Sequence, residues 1–161
     1  MKPPWLEIAQ QEIGQDEQGI GDNPRILEYH NTTTLGARTD EVPWCSSFVN
    51  WCMVKAGYEG TNNALAKSWL NWGVPIFVPI EGCVCVIKHK TDGQDKATGS
   101  SSGYHVAFWL GQDGRTVKLL GGNQSNRVKI SDFMLKSYEI MGFRIPSSYE
   151  RSALDVAIGR E

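Results

Sequence analysis

The first third of the chain carries the apolar spacing of α-helices. In the segment PPWLEIAQQEIG the apolar side chains recur every three or four positions, at Trp5, Ile8, Ala9 and Ile13. This spacing forms one face of a helix, with Pro4 suited to its first turn and Gly14 to its end. NPRILEYH repeats the signal from Asn23, a residue type that caps helices. We therefore predict two short helices before residue 31.

The strongest helical pattern follows in WCSSFVNWCMVKAG, from Trp44 to Gly57. Its apolar positions fall on one helix face, at Cys45, Phe48, Val49, Cys52 and Ala56. Pro43 precedes the segment, and Gly57 is a suitable terminator. The segment NALAKSWLNWG, from Asn63 to Gly73, predicts a shorter helix.

After Gly73 the pattern changes to short runs of branched and aromatic residues, which is typical of strands. These runs are VPIFVPI, CVCVIK, HVAFWLG, TVKLLGG and YEIMGFRIP. The sequence QDGR between the third and fourth runs predicts a hairpin, because Asp-Gly favours tight turns. The polar segment 88–103, rich in Gly and Ser, is expected to link two neighbouring strands as a mobile loop. We therefore expect an α+β fold, with N-terminal helices packed on a mostly antiparallel β-sheet of about five or six strands.

The length of the chain and its lack of repeats limit the domain organisation. A chain of 161 residues suffices for one domain. We predict a single domain over residues 1–146 and a C-terminal tail over 147–161 that is either a short helix or disordered. No cofactor is indicated, and we expect a monomer.

The net charge and the N-terminal segment limit the classes of partner that we expect for this chain. Sixteen Lys and Arg against eighteen Asp and Glu give a formal charge of −2, so the chain has no general attraction for nucleic acid or an anionic membrane. The N-terminal segment lacks the apolar core of a signal peptide, and no apolar run approaches the roughly 20 residues that span a bilayer. We therefore expect synthesis in the cytoplasm and no stable membrane insertion.

The four cysteines allow several roles. The reducing cytoplasm disfavours disulfides. Cys83 and Cys85 are one residue apart and Cys45 and Cys52 are seven apart, neither of which is the spacing of a structural zinc site, so no metal is predicted. Buried packing remains for all four. Cys45 also begins the strongest helix, where the helix dipole favours a thiolate. On the residues alone, packing and nucleophile fit Cys45 equally well.

A nucleophilic thiol requires a proton acceptor, and His105 is the best placed of the three histidines. It opens the run YHVAFWL, where a strand would hold it firmly, whereas His30 and His89 are expected at the surface. Asn123 follows Gly121 and Gly122 at the end of the next run, so the hairpin would bring it beside His105. Asn123 would then orient the imidazole. A plain turn residue is the alternative for Asn123, and Gln124 is its nearest competitor for the orienting role.

The motifs VPWCSSFVNWCMVKAG, GYHVAFWLG and LLGGNQSNRV resemble those of the CHAP and NlpC/P60 superfamily of papain-like peptidoglycan hydrolases, in particular a small single-domain branch found among phage endolysins. The similarity runs from about Pro4 to Pro146. It implies a papain-like fold, with Cys45 as nucleophile, His105 as general base and acid, and Asn123 as the orienting group. Many members carry a Glu at the position of Gly121, so a Glu-assisted site is absent here.

The resemblance implies an amidase or endopeptidase that cleaves an amide bond of the peptidoglycan stem peptide through a thioester, without a metal. Five further residues are candidates for substrate binding: Trp44, Asp40, Glu41, Trp72 and Gln124. For the two tryptophans the alternative is core packing, and for the two acids a solvated loop. A phage endolysin would reach the wall in the periplasm after holin-type release. The alternatives are a secreted antibacterial effector of the same chemistry, a papain-like acyltransferase and a non-catalytic wall-binding module.

Overall fold

The computed structural model describes residues 2–17, 23–33, 44–91 and 95–149. The helical elements are α1 (Pro4–Gln11), α2 (Pro24–His30), α3 (Cys45–Lys55) and a 3₁₀-helix (Ala66–Asn71). The Asn23 side chain accepts a hydrogen bond from the N–H of Arg25 at 2.9 Å, which confirms the predicted cap of α2. The segment from Asn63 to Gly73, predicted as a short helix, contains instead this 3₁₀-helix, which is shorter and more tightly wound than the prediction.

Six strands form one antiparallel sheet in the order β1-β6-β2-β3-β4-β5. Their bounds are β1 Val74–Ile76, β2 Val84–His89, β3 Tyr104–Gln112, β4 Thr116–Gln124, β5 Arg127–Met134 and β6 Tyr138–Ile145. The predicted α+β class and antiparallel sheet are confirmed. The predicted hairpin across QDGR joins β3 and β4, and the Asp113 carboxylate accepts the N–H groups of Arg115 and Thr116 in its turn.

The strand β5 is absent from the runs identified in the sequence. Val128 and Phe133 are buried on opposite faces of the strand, whereas Ile130 is exposed. A two-residue turn precedes it, in which Ser125 and Asn126 both have positive φ, of 53° and 64°. Such turns match the twist of paired strands. The branched and aromatic residues Val128, Ile130 and Phe133 are the sequence signal that indicates β5.

The sheet is curled, and the short connection between β5 and β6 shows why. The two strands are four strand spacings apart in the sheet order, which is about 19 Å in a flat sheet. Met134 and Tyr138 are only four residues apart, a reach of about 14 Å at most. The sheet must therefore bend to bring its edge back, and the rings of Phe133 and Tyr138 are 5.0 Å apart inside the bend.

The curled sheet separates two apolar cores. The helices pack on the outer face, where α3 contacts β3 and β4 and buries Phe48 against Phe108. The inner face has its own core of buried side chains: Cys85, Ile87, Ala107, Val117, Leu119, Phe133 and Tyr138. Because side chains alternate along β3, Val106 belongs to the outer core and Ala107 to the inner one. Within the described ranges, no helix is both long and apolar enough to span a bilayer.

Candidate active site

Cys45 is the first residue of α3, as predicted, and its side chain is only 5% exposed. Three backbone N–H groups, those of Val106, Ser46 and Cys45 itself, favour negative charge on its Sγ and so lower the pKa of the thiol. The last two belong to the unpaired N–H groups at the start of a helix. The first comes from β3, one residue after His105. The thiol therefore lies against the backbone of the strand that carries the predicted base.

The thiol reaches this backbone because β3 and β4 separate there. Trp109 donates its N–H to Cys83 on the β2 side, so by the alternation of an antiparallel ladder Val106 directs its N–H toward β4. The pairing of β3 with β4 extends only as far as Phe108 and Leu120, however. The Val106 N–H lies beyond the last pair and acts on the Cys45 thiol, where it favours negative charge on the sulfur.

Burial dominates the acidity of Cys45. Removal from water raises the pKa of the thiol above its usual value, and the three backbone N–H donors only partly offset this effect. The thiolate bias expected from the helix start is thus present but smaller than the cost of burial. In the resting structure Cys45 is a neutral thiol at neutral pH.

His105 is fully buried on the inner face, where its ring is 5.6 Å from that of Phe133. Its Nε2 is 3.0 Å from Oε1 of Gln124. The Gln124 amide group donates in turn to the backbone carbonyls of Leu119 at 3.2 Å and Lys129 at 2.8 Å. Because the Gln124 oxygen must then accept, the imidazole proton lies on Nε2 and the lone pair on Nδ1.

The residue that orients His105 in the structure is thus Gln124 and not Asn123, and a β-bulge explains the difference. Gly121 pairs with Lys129 and Gln124 pairs with Arg127, so β4 has two residues where β5 has one. In a regular strand residue 123 would share the face of Gly121 and His105. The extra residue moves that position to Gln124.

The same bulge accounts for the glycine at position 121. A Cβ there would lie 2.5 Å from Gln124 Oε1 and 2.8 Å from the Cβ of Ala107. The space that a Glu at this position would need is therefore filled by the Gln124 side chain. Glycine at 121 and glutamine at 124 are structurally linked.

Asn123 makes no hydrogen bond to His105. Its backbone is left-handed, with φ of 58°, and its side chain is 3% exposed. Its Oδ1 is buried and accepts no hydrogen bond from any described residue. Its amide packs against the loop before β3, where a Cβ at Gly99 would lie 2.7 Å from Nδ2.

Burial also sets the charge state of His105. Loss of hydration lowers the pKa of the imidazole to about 4, against the smaller opposing effects of the Gln124 hydrogen bond and the negative charge of Asp95. His105 is therefore neutral at neutral pH. Among the described residues no group hydrogen-bonds to its Nδ1, and this includes the Cys45 thiol.

Asp95 is a buried carboxylate near His105 that the sequence reasoning missed. It lies in segment 88–103, of which residues 92–94 are outside the described ranges. Its carboxylate accepts hydrogen bonds from Thr98 Oγ1 at 3.1 Å, from the Ala97 N–H at 3.1 Å and from Tyr138 Oη at 2.8 Å. The described part of this segment is thus tied to β6. In the sequence Asp95 is one of two acids in this polar segment, whose Gly and Ser content predicts a mobile loop and gives no sign of a buried carboxylate.

The two tryptophans predicted to bind substrate, Trp44 and Trp72, have different surroundings in the structure. Trp44 is fully buried, stacks on Tyr29 with centroids 5.9 Å apart and donates its Nε1 proton to Glu17. Trp72 lines a separate cavity of about 440 Å³ between the end of α3 and the end of β6. Trp44 is thus a core residue, as its packing alternative predicts, whereas Trp72 lines a cavity that does not include Cys45. Asp40 and Glu41 lie outside the described residues.

The other histidines and cysteines have structural surroundings. His30, expected at the surface, is fully buried, and its Nδ1 is 2.9 Å from Ser47 Oγ. Three further cysteines are buried and free: Cys52, Cys83 and Cys85. Over the described ranges no three His, Cys, Asp or Glu side chains come together as a metal site.

Comparison with known proteins adds no relative. No family model matches the sequence, and no curated protein matches it. The chemistry of the site is therefore argued from its own residues. His105, a neutral imidazole with its proton fixed on Nε2, lies on β3. The backbone N–H of the next residue, Val106, acts on the thiol of Cys45 at the start of α3.

Proposed function

We propose that this protein is a cysteine-dependent amide hydrolase of papain-like type that cleaves a stem-peptide bond of peptidoglycan. Cys45 is the nucleophile, His105 the general base and acid, and Gln124 the residue that orients the imidazole. Gln124 replaces Asn123 in the orienting role expected from the resemblance.

One observation carries the chemistry: the buried, neutral His105 with an unpartnered Nδ1. The Gln124 amide is held by two backbone carbonyls and leaves the imidazole a single tautomer, with its lone pair on Nδ1. A buried acceptor without a donor costs about 1–3 kcal/mol. Such a cost is expected where the atom is reserved for a reaction.

The first step acylates Cys45. The thiol proton moves to His105 Nδ1 as Sγ forms a bond to the amide carbonyl carbon, and the carbonyl electron pair moves to oxygen. The backbone N–H groups at the start of α3, which favour negative charge on Sγ before attack, then stabilise this oxyanion. The intermediate then collapses, the C–N bond breaks, and Nδ1 returns the proton to the leaving nitrogen. A thioester and a free amine result.

The second step releases the acid. Water gives a proton to Nδ1 while its oxygen bonds to the thioester carbon, and the S–C bond then breaks. The departing sulfur takes the proton back from the imidazolium. Because both resting groups are neutral, proton transfer accompanies attack in each step, and no pre-formed ion pair between Cys45 and His105 is required.

The substrate class rests on the motifs. The blocks around Cys45, His105 and Gln124 resemble peptidoglycan hydrolases, and a thioester mechanism suits the amide bonds of the stem peptide. An amidase would cut between lactate and L-Ala, and an endopeptidase would cut within the peptide. A phage endolysin released to the wall through a membrane pore is the biological setting that we propose.

The decisive experiment identifies the bond that is cut. Purified protein and the Cys45→Ala variant are incubated with purified peptidoglycan, and the released fragments are analysed by mass spectrometry. We expect new amine and carboxyl ends at one stem-peptide bond with the wild type and none with the variant. Absence of fragments with a folded wild type refutes the proposal.

A non-catalytic module is the second candidate, and the burial of the site favours it. Cys45 is 5% exposed, and no hydrogen bond joins it to His105. In that case Cys45→Ala would bind peptidoglycan as the wild type does, and neither protein would release fragments. Co-sedimentation with insoluble peptidoglycan, run beside the fragment assay, separates the two candidates.

A further inference from the structure

Asn123 is held firmly and yet its side-chain oxygen has no partner. Its left-handed φ of 58° is a conformation that side chains rarely adopt, although Asn tolerates it better than most. Its side chain is 3% exposed, and Oδ1 is buried without a donor among the described residues. Both features cost stability, and neither is repaid by a contact within the described protein.

The loop before β3 is built around this side chain. Gly99 approaches so closely that a Cβ there would meet the Asn123 amide, and its own φ of 71° also favours glycine. The loop is fastened by the Asp95 carboxylate to Tyr138, and by the Ala97 carbonyl to the N–H of Ser125 at 2.9 Å. The position of the Asn123 amide is thus determined by several independent contacts.

The two sequence neighbours of Asn123 contact the two halves of the site. Its predecessor Gly122 lies against the ring of Trp44, the residue before Cys45, so closely that a Cβ would come within 2.8 Å. Its successor Gln124 binds His105. The bulge that moves Gln124 under the imidazole therefore also presents Asn123 at the same site.

Asn123 Oδ1 and His105 Nδ1 are two buried acceptors on this part of the sheet for which the described residues supply no donor. Neither can satisfy the other, because a carbonyl oxygen and an imidazole lone pair both require a hydrogen. In the proposed mechanism the thiol and then water supply the hydrogen to Nδ1. Oδ1 needs a different donor, and a peptide carries one at each amide N–H.

We infer that Asn123 is a substrate-binding residue, whose Oδ1 accepts a hydrogen bond from a backbone N–H of the peptide beside the bond that is cut. This inference rests on the proposed amide hydrolase. The ligand class is a peptide with a free amide N–H at that position, and a substrate lacking this N–H is bound less tightly. Asn123 has no part in orienting His105.

The test compares Asn123→Leu with Asn126→Leu. Asn126 has φ of 64° in the turn after β4 and is exposed, so its substitution imposes the same backbone cost away from the site. The substrate is a set of soluble peptidoglycan fragments with intact stem peptides. Asn123→Asp, which keeps the acceptor oxygen, serves as the conservative variant.

We expect Asn123→Leu to raise KM about tenfold and to leave kcat nearly unchanged. The loss of activity at acid pH, which is the acid limb of the pH profile, should also stay where it is. Asn123→Asp should recover most of the lost affinity, and Asn126→Leu should leave KM as it is. An unchanged KM in Asn123→Leu overturns the inference. A lower kcat together with a shifted acid limb would also overturn it, because Asn123 would then act through the imidazole of His105. If the wild type cleaves no fragments, the proposed function itself fails first.

Discussion

Cys45 and Cys52 lie on the same face of α3, two turns apart, and both are buried. Burial raises the pKa of the Cys52 thiol well above its usual value, and the negative charge of Glu12 raises it further. Burial also raises the pKa of Cys45, but three backbone N–H groups oppose it. The two thiols differ because one lies at a helix start beside separated strands, where donors are unpaired. Residue type and burial do not distinguish them.

Exchanging each cysteine for alanine should produce opposite results, and this is the largest effect that we expect. Cys45→Ala should lower kcat on peptidoglycan fragments by about 10⁴-fold or more, because the nucleophile is lost. Cys52→Ala should keep its activity and lose about 1 kcal/mol of unfolding free energy, because a buried sulfur is removed from the helix core. Fragment kinetics and urea unfolding measure the two quantities. Equal activity losses in the two variants would contradict the comparison.

Gln124→Leu tests whether the second half of the site depends on the orienting hydrogen bond. We expect kcat to fall about 10²-fold, because the imidazole loses the acceptor that fixes its tautomer. The control is Gln112→Leu, the same substitution on β3, where the exposed Gln112 accepts a hydrogen bond from Trp109. That variant should behave as the wild type. A similar fall in both variants would show a general effect on the sheet.

The smallest effect is the pH dependence of stability that His105 brings. The pKa of its imidazole is about 4 when folded, against 6.5 as the ordinary value, so between these pH values only the unfolded chain binds the proton. The contribution of His105 to the free energy of unfolding is therefore at its maximum above pH 6.5. It falls as the pH drops, and at pH 4 it is about 3 kcal/mol lower.

Urea unfolding of the wild type and of His105→Gln at pH 7.5 and pH 4 measures this difference. The variant should be less sensitive to acid by about 3 kcal/mol, whatever its stability at pH 7.5, because other titrating groups are common to both proteins. If the free energy of unfolding changed with pH in the same way in both proteins, the pKa of His105 in the folded protein would be the ordinary value and the prediction would be wrong. The activity of the wild type should fall near pH 4 for the same reason.

Helices and hairpins were predictable because they depend on neighbours in sequence. The apolar spacing from Trp44 to Gly57 predicts α3, the Asp-Gly pair predicts the β3–β4 turn, and Asn23 predicts the N-terminal cap of α2. The 3₁₀-helix was harder to predict, since its apolar residues fit an α-helix equally well. The β5 strand was missed because apolar and polar residues are mixed on both of its faces and its turn lacks glycine.

Local patterns in the chain were also enough to propose Cys45 and His105 as the candidate pair, because a helix start and a strand start are both visible in the order of residues. Choosing between Asn123 and Gln124 required the register of β4 against β5, and one extra residue in a bulge reverses which side chain faces the imidazole. The charge states of the thiol and the imidazole, and the role of Asp95, required knowledge of burial. Burial arises from the curl of the sheet and the packing of distant segments, which no stretch of sequence contains by itself.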